Sequence, residues 1–315
     1  MKVSVCLSGV QLDPLSQIIG ILKPQAVFWR VIEAHDAWTI AFRPTNVVVF
    51  GQIIEGVCHV EREDGISFDL EAGDFLLMAA PPNWTMAAFD GGVAVDFGAV
   101  IENPGLLLSP AHAGRVTRFM AGNFAFSAAN RDLIATLMLP IVHVRGNEIA
   151  AARLRALLAT FGDEAIADRP GRSLVLDRLL ELILIEALRY RPADIGDGRS
   201  SLLAGLADPK IGRALRIMHA DTKRPWTLAA LAREVGMSRS AFALRFVQLV
   251  GVPPIEYLAN WRMTLAKSAL ASTEVPMMDI AQMAGYQSVS AFSTAFKRET
   301  GLSPTLYVRS LQPAI

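Results

Sequence analysis

The chain has 315 residues, 52% of them hydrophobic, and a mean hydropathy of +0.35, enough apolar material for a sizeable core and enough length for two domains. Its 30 basic and 30 acidic side chains cancel, so overall charge points to no class of partner. Cys6 and Cys58 form neither a metal-site nor a disulfide-framework pattern, no basic-then-apolar leader opens the sequence, and no apolar run approaches ~20 residues. These features exclude a disulfide scaffold and a membrane span, and predict a cytoplasmic protein.

From Met1 to about Gln25 the apolar residues Leu12, Leu15, Ile18, Ile19 and Leu22 recur at helical spacing. Between Ala26 and Val100 the pattern changes to short β-rich runs separated by turn residues: 26–31, 38–42, 47–54, 56–61, 66–70, 75–78 and 93–97. Evenly spaced short strands predict a barrel or jelly roll. The stretch Leu70-Glu-Ala-Gly-Asp-Phe-Leu-Leu-Met-Ala-Ala-Pro-Pro (70–82) resembles the Gly-Asp turn, strand and Pro signature of small cupin barrels. Gly73 suits a tight turn, and Asp74 can fold its carboxylate back onto turn amides. Metal-binding cupins carry paired histidines and a glutamate on neighbouring strands and another histidine after the Pro. Here only His59 stands near the first place and Trp84 near the last, so neither a metal nor another cofactor is expected.

Asn103 to Arg145 contains Gly-Asn-Phe-Ala-Phe (122–126) and Leu-Ile-Ala-Thr-Leu-Met-Leu-Pro (133–140). Two helices are predicted next, over 147–161 and 173–191. The second is apolar on more than one face, as in a helix buried on several sides, and the reading favoured is a contribution to a homodimer. Residues 191–201 are a polar, flexible linker that places a domain boundary near residues 192–204.

The remaining stretch is written twice. Ser238 and Ser288, Phe242 and Phe292, Phe246 and Phe296, Gly251 and Gly301, Pro254 and Pro304, and Tyr257 and Tyr307 are each 50 residues apart. Each copy reads helix, Gly-containing turn, helix, the helix-turn-helix plan. In the first copy Leu228, Leu231, Ala232 and Val235 form one apolar stripe, Gly236 stops the helix, and Ser238 caps the next. Phe242, Phe246 and Leu249 then face the core. Between the copies, Pro254 to Ala271 has no breaker and is predicted as one helix of about 27 Å. Trp226, Trp261, Met263 and Met283 lie on apolar helical faces and are assigned to the core. Residues 208–315 hold 13 basic and 7 acidic side chains, against 17 and 23 in residues 1–207. The half with the repeat carries the positive balance that a phosphate-binding surface requires.

The runs Pro-Trp-Thr-Leu (225–228), Gly-Met-Ser-Arg-Ser-Ala-Phe (236–242), Tyr-Leu-Ala-Asn-Trp-Arg-Met (257–263), Ile-Ala…Gly-Tyr (280–286) and Ser-Ala-Phe-Ser-Thr-Ala-Phe-Lys-Arg-Glu-Thr-Gly-Leu-Ser-Pro-Thr-Leu-Tyr (290–307) resemble the AraC/XylS family over roughly the last hundred residues. The resemblance implies a transcription regulator whose two helix-turn-helix units grip successive grooves on one DNA face, with RNA polymerase as a further partner. It implies an α+β chain: a cupin-like β-barrel with dimerisation helices over residues 1–195, then an all-α DNA-binding domain over 205–315, with units at about 227–250 and 276–300. The segment 103–145 resembles the continuation of the sensor in one subgroup of the family. Relatives there often carry a cysteine just before the Gly, where this chain has Ala121, and that departure counts against redox sensing at the site. Cys6 and Cys58 are read as buried, inert thiols, with oxidant or electrophile sensing as the alternative.

By family register the base-facing positions are Arg239, Ser240, Ala243 and Leu244 in the first unit and Ser290, Ser293 and Thr294 in the second, with Lys297 and Arg298 suited to phosphates. Arg239 alone can grip guanine O6 and N7 with two hydrogen bonds; a phosphate contact is the alternative role. Ala243 and Leu244 can touch thymine methyls. The sequence contains no Gly-rich phosphate loop, no His-Glu-x-x-His and no Gly-x-Ser-x-Gly, so no catalytic residues and no enzyme activity are expected. Two functions remain open. In one, an unidentified small-molecule or chemical signal acts on the barrel and alters promoter binding. In the other, the N-terminal half is a ligand-free dimerisation module or a metal-free enzyme domain joined to a DNA binder.

Overall fold

The computed structural model describes residues 13–107, 114–126, 140–190, 200–272 and 275–311. Cys6, Leu12, most of the 133–140 run and linker residues 191–199 lie outside them. The described chain forms two compact units, one of residues 13–22 with 200–311, the other drawn from 23–126 and 140–190.

The second unit opens with β1 (Gln25–His35), β2 (Thr39–Phe42), β3 (Val48–Glu55), β4 (Val57–Arg62) and β5 (Ser67–Glu71). It continues with β6 (Phe75–Ala79), β7 (Trp84–Ala87), β8 (Ala94–Asp96), β9 (Val116–Ala125) and β10 (Ile141–Val144). They pair into two five-stranded sheets, β1-β9-β3-β6-β10 and β5-β4-β7-β2-β8, antiparallel except for the β2–β8 pair. Between the sheets lies a core to which the first contributes Ile32, Ile53, Met78 and Phe119, and the second Ile40, Val60, Trp84 and Met86. The sheets therefore close on each other as the strand pattern predicts.

Several features differ from expectation, among them strand β10, which falls in a stretch where no strand is predicted. Residues 84–87 and 116–125, which carry no alternating pattern, are strands, and Phe97 begins a short helix, α2 (Phe97–Glu102), rather than ending a strand. The first sheet is buried on both faces: Phe50 and Phe124 stack at 4.6 Å on the side away from the inter-sheet core, and Trp29 meets Phe161 of α3 (Ile149–Ile166) at 6.0 Å. A strand covered on both sides loses its apolar–polar alternation. The Gly-Asn-Phe motif acquires its meaning here, because a Cβ at Gly122 would stand 2.5 Å from Phe50 Cζ.

The Gly-Asp turn is built as the sequence suggests and reaches further. Gly73 has φ +93°, and Asp74 accepts hydrogen bonds from Glu71 N (3.1 Å), Gly146 N (2.7 Å) and His143 Nε2 (2.8 Å). That one carboxylate ties the turn to the end of β10 and the approach to α3. Beside α3 runs α4 (Arg172–Arg189), with Leu179, Leu180, Ile183, Leu184, Ala187 and Leu188 buried within its own unit. Much of its apolar width is thus used inside the monomer; Leu174, Val175 and Leu182 remain exposed.

The first unit holds α1 (Pro14–Leu22), α5 (Leu202–Ala207), α6 (Pro209–Ala220), α7 (Leu228–Glu234), α8 (Arg239–Val250), α9 (Pro254–Ser272), α10 (Met277–Met283), α11 (Val289–Thr300) and α12 (Pro304–Leu311). Residues 202–204, placed in the boundary region from sequence, are helical because Ser201 caps α5 through Ala204 N. Helix α1, grouped with the barrel by sequence order, packs on α6 with Leu15, Ile18, Ile19 and Leu22 buried. Among the described residues no helix is long and apolar enough to cross a membrane.

Candidate nucleic-acid interface and internal cavity

The two copies of the repeat fold alike for the same local reasons. Gly236 (φ +63°) and Gly285 (φ +80°) end the first helix of each pair in the left-handed region that favours glycine. Met237 N donates to Ala232 O at 2.9 Å and Tyr286 N to Ala281 O at 2.8 Å. These partners are 49 apart, whereas the caps Ser238 and Ser288 are 50 apart, so the second turn is one residue longer. Each cap accepts from an alanine amide, Ala241 or Ala291, at 3.3 and 3.2 Å. Gly251 and Gly301 terminate α8 and α11 with 2.8 Å bonds to Val247 O and Lys297 O. Phe246 meets Tyr257 at 5.8 Å and Phe296 meets Tyr307 at 5.2 Å. Phe242, Phe246, Phe292 and Phe296 are fully buried, which fixes the opposite faces of α8 and α11 toward solvent. Leu249 lies at the edge of that core rather than within it, because the helix turns it partly outward, and Met283 is likewise half-buried.

The outward faces carry the residues singled out from sequence. Arg239, Ser240 and Leu244 are exposed and Ala243 is half-buried beside them; Leu244, an apolar residue, is 62% exposed. On α11, Ser290, Thr294, Lys297 and Arg298 are exposed and Ser293 is half-buried. The exposed Thr294 donates its hydroxyl to Ser290 O at 3.0 Å. Arg245, also on α8, serves the fold instead. Its Nε donates to Asp208 Oδ2 at 2.9 Å, and Asp208 caps α6 through Lys210 N and Ile211 N. Arg262 of α9 is similarly occupied, donating to Thr222 O and Arg224 O at 2.7 Å.

Helix α9 joins the two helix-turn-helix pairs with 19 residues, about 28 Å at 1.5 Å per residue. Its register is set by a buried polar centre that the sequence does not reveal. His219 of α6 stacks on Trp261 at 4.3 Å, donates from Nδ1 to Gln17 Oε1 at 3.1 Å, and accepts at Nε2 from the Tyr257 hydroxyl at 2.7 Å. One donor and one acceptor are what a neutral imidazole offers. Burial pushes the His219 pKa down to about 3 and raises that of Tyr257, so both stay uncharged.

In the barrel, His59 projects from the outer side of β4 and pairs with Asp69 at 2.7 Å, while Trp84 is buried against Phe42 at 3.8 Å with nearly parallel rings. Cys58 is fully buried; burial, then the nearby Asp69 and Asp74 charges, push its thiol up to about 12. Between the sheets lies a cavity of about 330 Å3 with predominantly apolar walls. Its aromatic end is made by Phe28, Phe42, Trp84 and Phe97; Asn123 of β9, Gln52 of β3, Thr45 and the Arg43–Asp96 pair (2.8 Å) supply its polar residues. Sequence reasoning missed it because its walls come from β1, β2, β3, β5, β6, β7, β8, α2 and β9 together. The one local signal was the Gly-Asn-Phe motif, whose Asn faces the cavity.

A sequence-family profile described as a cupin matches residues 13–191, and one described as a helix-turn-helix domain matches residues 231–310. A putative AraC-like transcription regulator of Streptomyces lividans is 33% identical over 94% of this chain and 98% of its own length. Another, of Streptomyces antibioticus, is 31% identical over 96% and 100%. The RCS-specific HTH-type transcriptional activator RclR of Escherichia coli K12 is 29% identical over 96% and 100%. With a cupin-type β domain, a duplicated helix-turn-helix and full-length relatives of that kind, the chain belongs to the AraC-like family of transcription regulators.

Proposed function

We propose that this protein binds double-stranded promoter DNA through α8 and α11 and that occupancy of the barrel cavity changes that binding. The observation that carries the reading is the pairing of two equivalent, solvent-facing recognition helices with a predominantly apolar cavity between the sheets of the other unit. Arg239, Ser240, Ala243 and Leu244 face bases from α8, and Ser290, Ser293 and Thr294 from α11; Lys297 and Arg298 face phosphates. The neutral pair of hydroxyl-bearing and apolar surfaces favours contacts to thymine methyls and groove shape, with Arg239 as the bidentate candidate. Copies of the chain associate through the exposed strip Leu174, Val175 and Leu182 of α4. The alternative of an inert dimerisation barrel is disfavoured by the cavity, since a purely structural barrel gains stability by filling such space.

The test needs no knowledge of the signal. Val49→Phe and Ala121→Leu each place a larger side chain in the cavity in lieu of a ligand. DNA affinity of the full chain, measured by fluorescence anisotropy on a selected duplex, should shift in both variants relative to wild type. It should also fall with salt at a log–log slope of about −0.9 per neutralised phosphate. Two well-folded variants with wild-type DNA affinity would contradict the regulatory reading; salt-independent binding would contradict the DNA reading.

A further inference from the structure

We propose that the cavity takes an uncharged lipophilic molecule of about two rings with one hydroxyl-type polar group, and rejects a carboxylate of the same shape. The proposal rests on the barrel as the signal-receiving unit and names the chemistry of the signal. Size comes first. An apolar cavity of about 150 Å3 holds one benzene, and this one is about 330 Å3, within the range of small-ligand sites. Shape follows from the walls: Phe42 and Trp84 stack at 3.8 Å, Phe97 lies tilted at 4.7 Å from Phe42, and aliphatic side chains such as Ile53 and Met78 join them in the lining. Planar rings meet such aromatic side chains with offset or edge contacts.

Thr45 and Gln52 also line the cavity, but Gln52 stands opposite Met120, in the alternate register to the core residues Ile53 and Phe119, and the deciding polarity comes from two other places. Asn123 Oδ1 is buried without a hydrogen-bond partner on a side chain that lines the cavity. Leaving such an atom unpaired is costly, and a ligand hydroxyl satisfies it whichever end of the carboxamide faces inward, because a hydroxyl both donates and accepts. Charge is the second. The one cationic side chain among the described lining residues is Arg43, 83% exposed and already held by Asp96, whose other oxygen caps α2 through Gly98 N at 2.9 Å. Net charge at the mouth is therefore zero, and a carboxylate driven into the apolar interior would lose its hydration without an ion partner.

The experiment uses the full-length protein with 6-propionyl-2-(dimethylamino)naphthalene, a neutral two-ring probe whose emission shifts to the blue in apolar surroundings. At pH 7.5 it should bind and be displaced by 2-naphthol at concentrations at least about 100-fold lower than by 2-naphthoate, its ionised isostere. Asn123→Leu should weaken 2-naphthol by about three- to tenfold and leave naphthalene unchanged. Val49→Phe and Ala121→Leu should abolish probe binding while thermal unfolding stays cooperative. Equal or better competition by 2-naphthoate, no probe binding at all, or undiminished probe binding in the well-folded filled variants would each overturn the proposal. DNA affinity read on the same samples separates the two layers. Preference for 2-naphthol with no effect of cavity occupancy on DNA upholds the ligand class and removes the regulatory reading. An effect on DNA produced by 2-naphthoate alone does the reverse.

Discussion

The buried His219 centre makes stability of the DNA-binding unit depend on pH in a calculable way. In the unfolded chain a histidine takes up a proton near pH 6.5, whereas in the fold His219 does so only near pH 3, because it is 5% exposed and both ring nitrogens are engaged. Its folded pKa is depressed, so stability is fully present above about pH 6.5 and is lost as the pH falls toward 3. Between pH 7.5 and 5.5 the unfolded state alone binds the proton, and the loss from this one group is about 1.4 kcal/mol, a factor of about ten. Asp13 at the start of α1 acts in the opposite sense, its charge favouring the protonated imidazole. The assay is native-state hydrogen exchange of the α9 amides, corrected for the intrinsic pH dependence of exchange, since Trp261 and Tyr257 must leave His219 before it can be protonated. Protection in α9 should fall about tenfold over this range in the wild type. In His219→Gln, whose amide can replace both hydrogen bonds but does not titrate, the fall should vanish. An equal fall in both proteins, or none in the wild type, would refute the reasoning.

Three further outcomes follow from the surfaces and the thiol. Arg239→Ala should cost ~1–3 kcal/mol at the specific site and relax preference at one base pair, whereas Lys297→Ala should weaken specific and non-specific DNA alike and make the salt slope shallower by about one. Binding-site selection with both variants checks this; an unchanged selected sequence for Arg239→Ala makes Arg239 a phosphate anchor. Light scattering at micromolar concentration should give a dimer, converted to monomer by Leu174→Glu with Leu182→Glu; a monomeric wild type would contradict the α4 interface. In a Cys6→Ser background, Cys58 should react with a disulfide reagent only upon unfolding, since its thiol is buried and its pKa raised to about 12; rapid labelling of the native protein would contradict that.

The helical half was legible in sequence because its structure is punctuated locally. Gly236, Gly285, Gly251 and Gly301 all adopt positive φ, Ser238 and Ser288 cap the following helices, and the phenylalanines four apart are buried. Such signals act within a few residues and survive reading one stretch at a time. The exposed faces of α8 and α11 followed from the same periodicity. Strand β9 was not legible, because Met120 and Phe124 face one layer while Phe119 faces the other, and burial on both sides erases the alternation. Trp84–Ala87 was hidden behind Pro81, Pro82 and Asn83, which read as a turn. The cavity and the His219 centre were invisible for another reason: Asn123 and Phe42 come to one cavity, and Gln17 and His219 to one hydrogen bond, only through long-range packing. A lone histidine on an amphipathic helix gives no sign that a hydroxyl 38 residues away will satisfy it.

The central claim, two recognition helices reading successive groove segments on one DNA face, is tested most directly by spacing. Duplexes selected by the full-length protein should contain two sequence elements about one helical turn apart, ~34 Å, a spacing that two recognition helices joined by the 19-residue α9 can span. Insertion of five base pairs between the elements turns the second onto the opposite face, and affinity should then drop to that of a single element. A selected site with only one element, or binding unaffected by the insertion, would contradict the account.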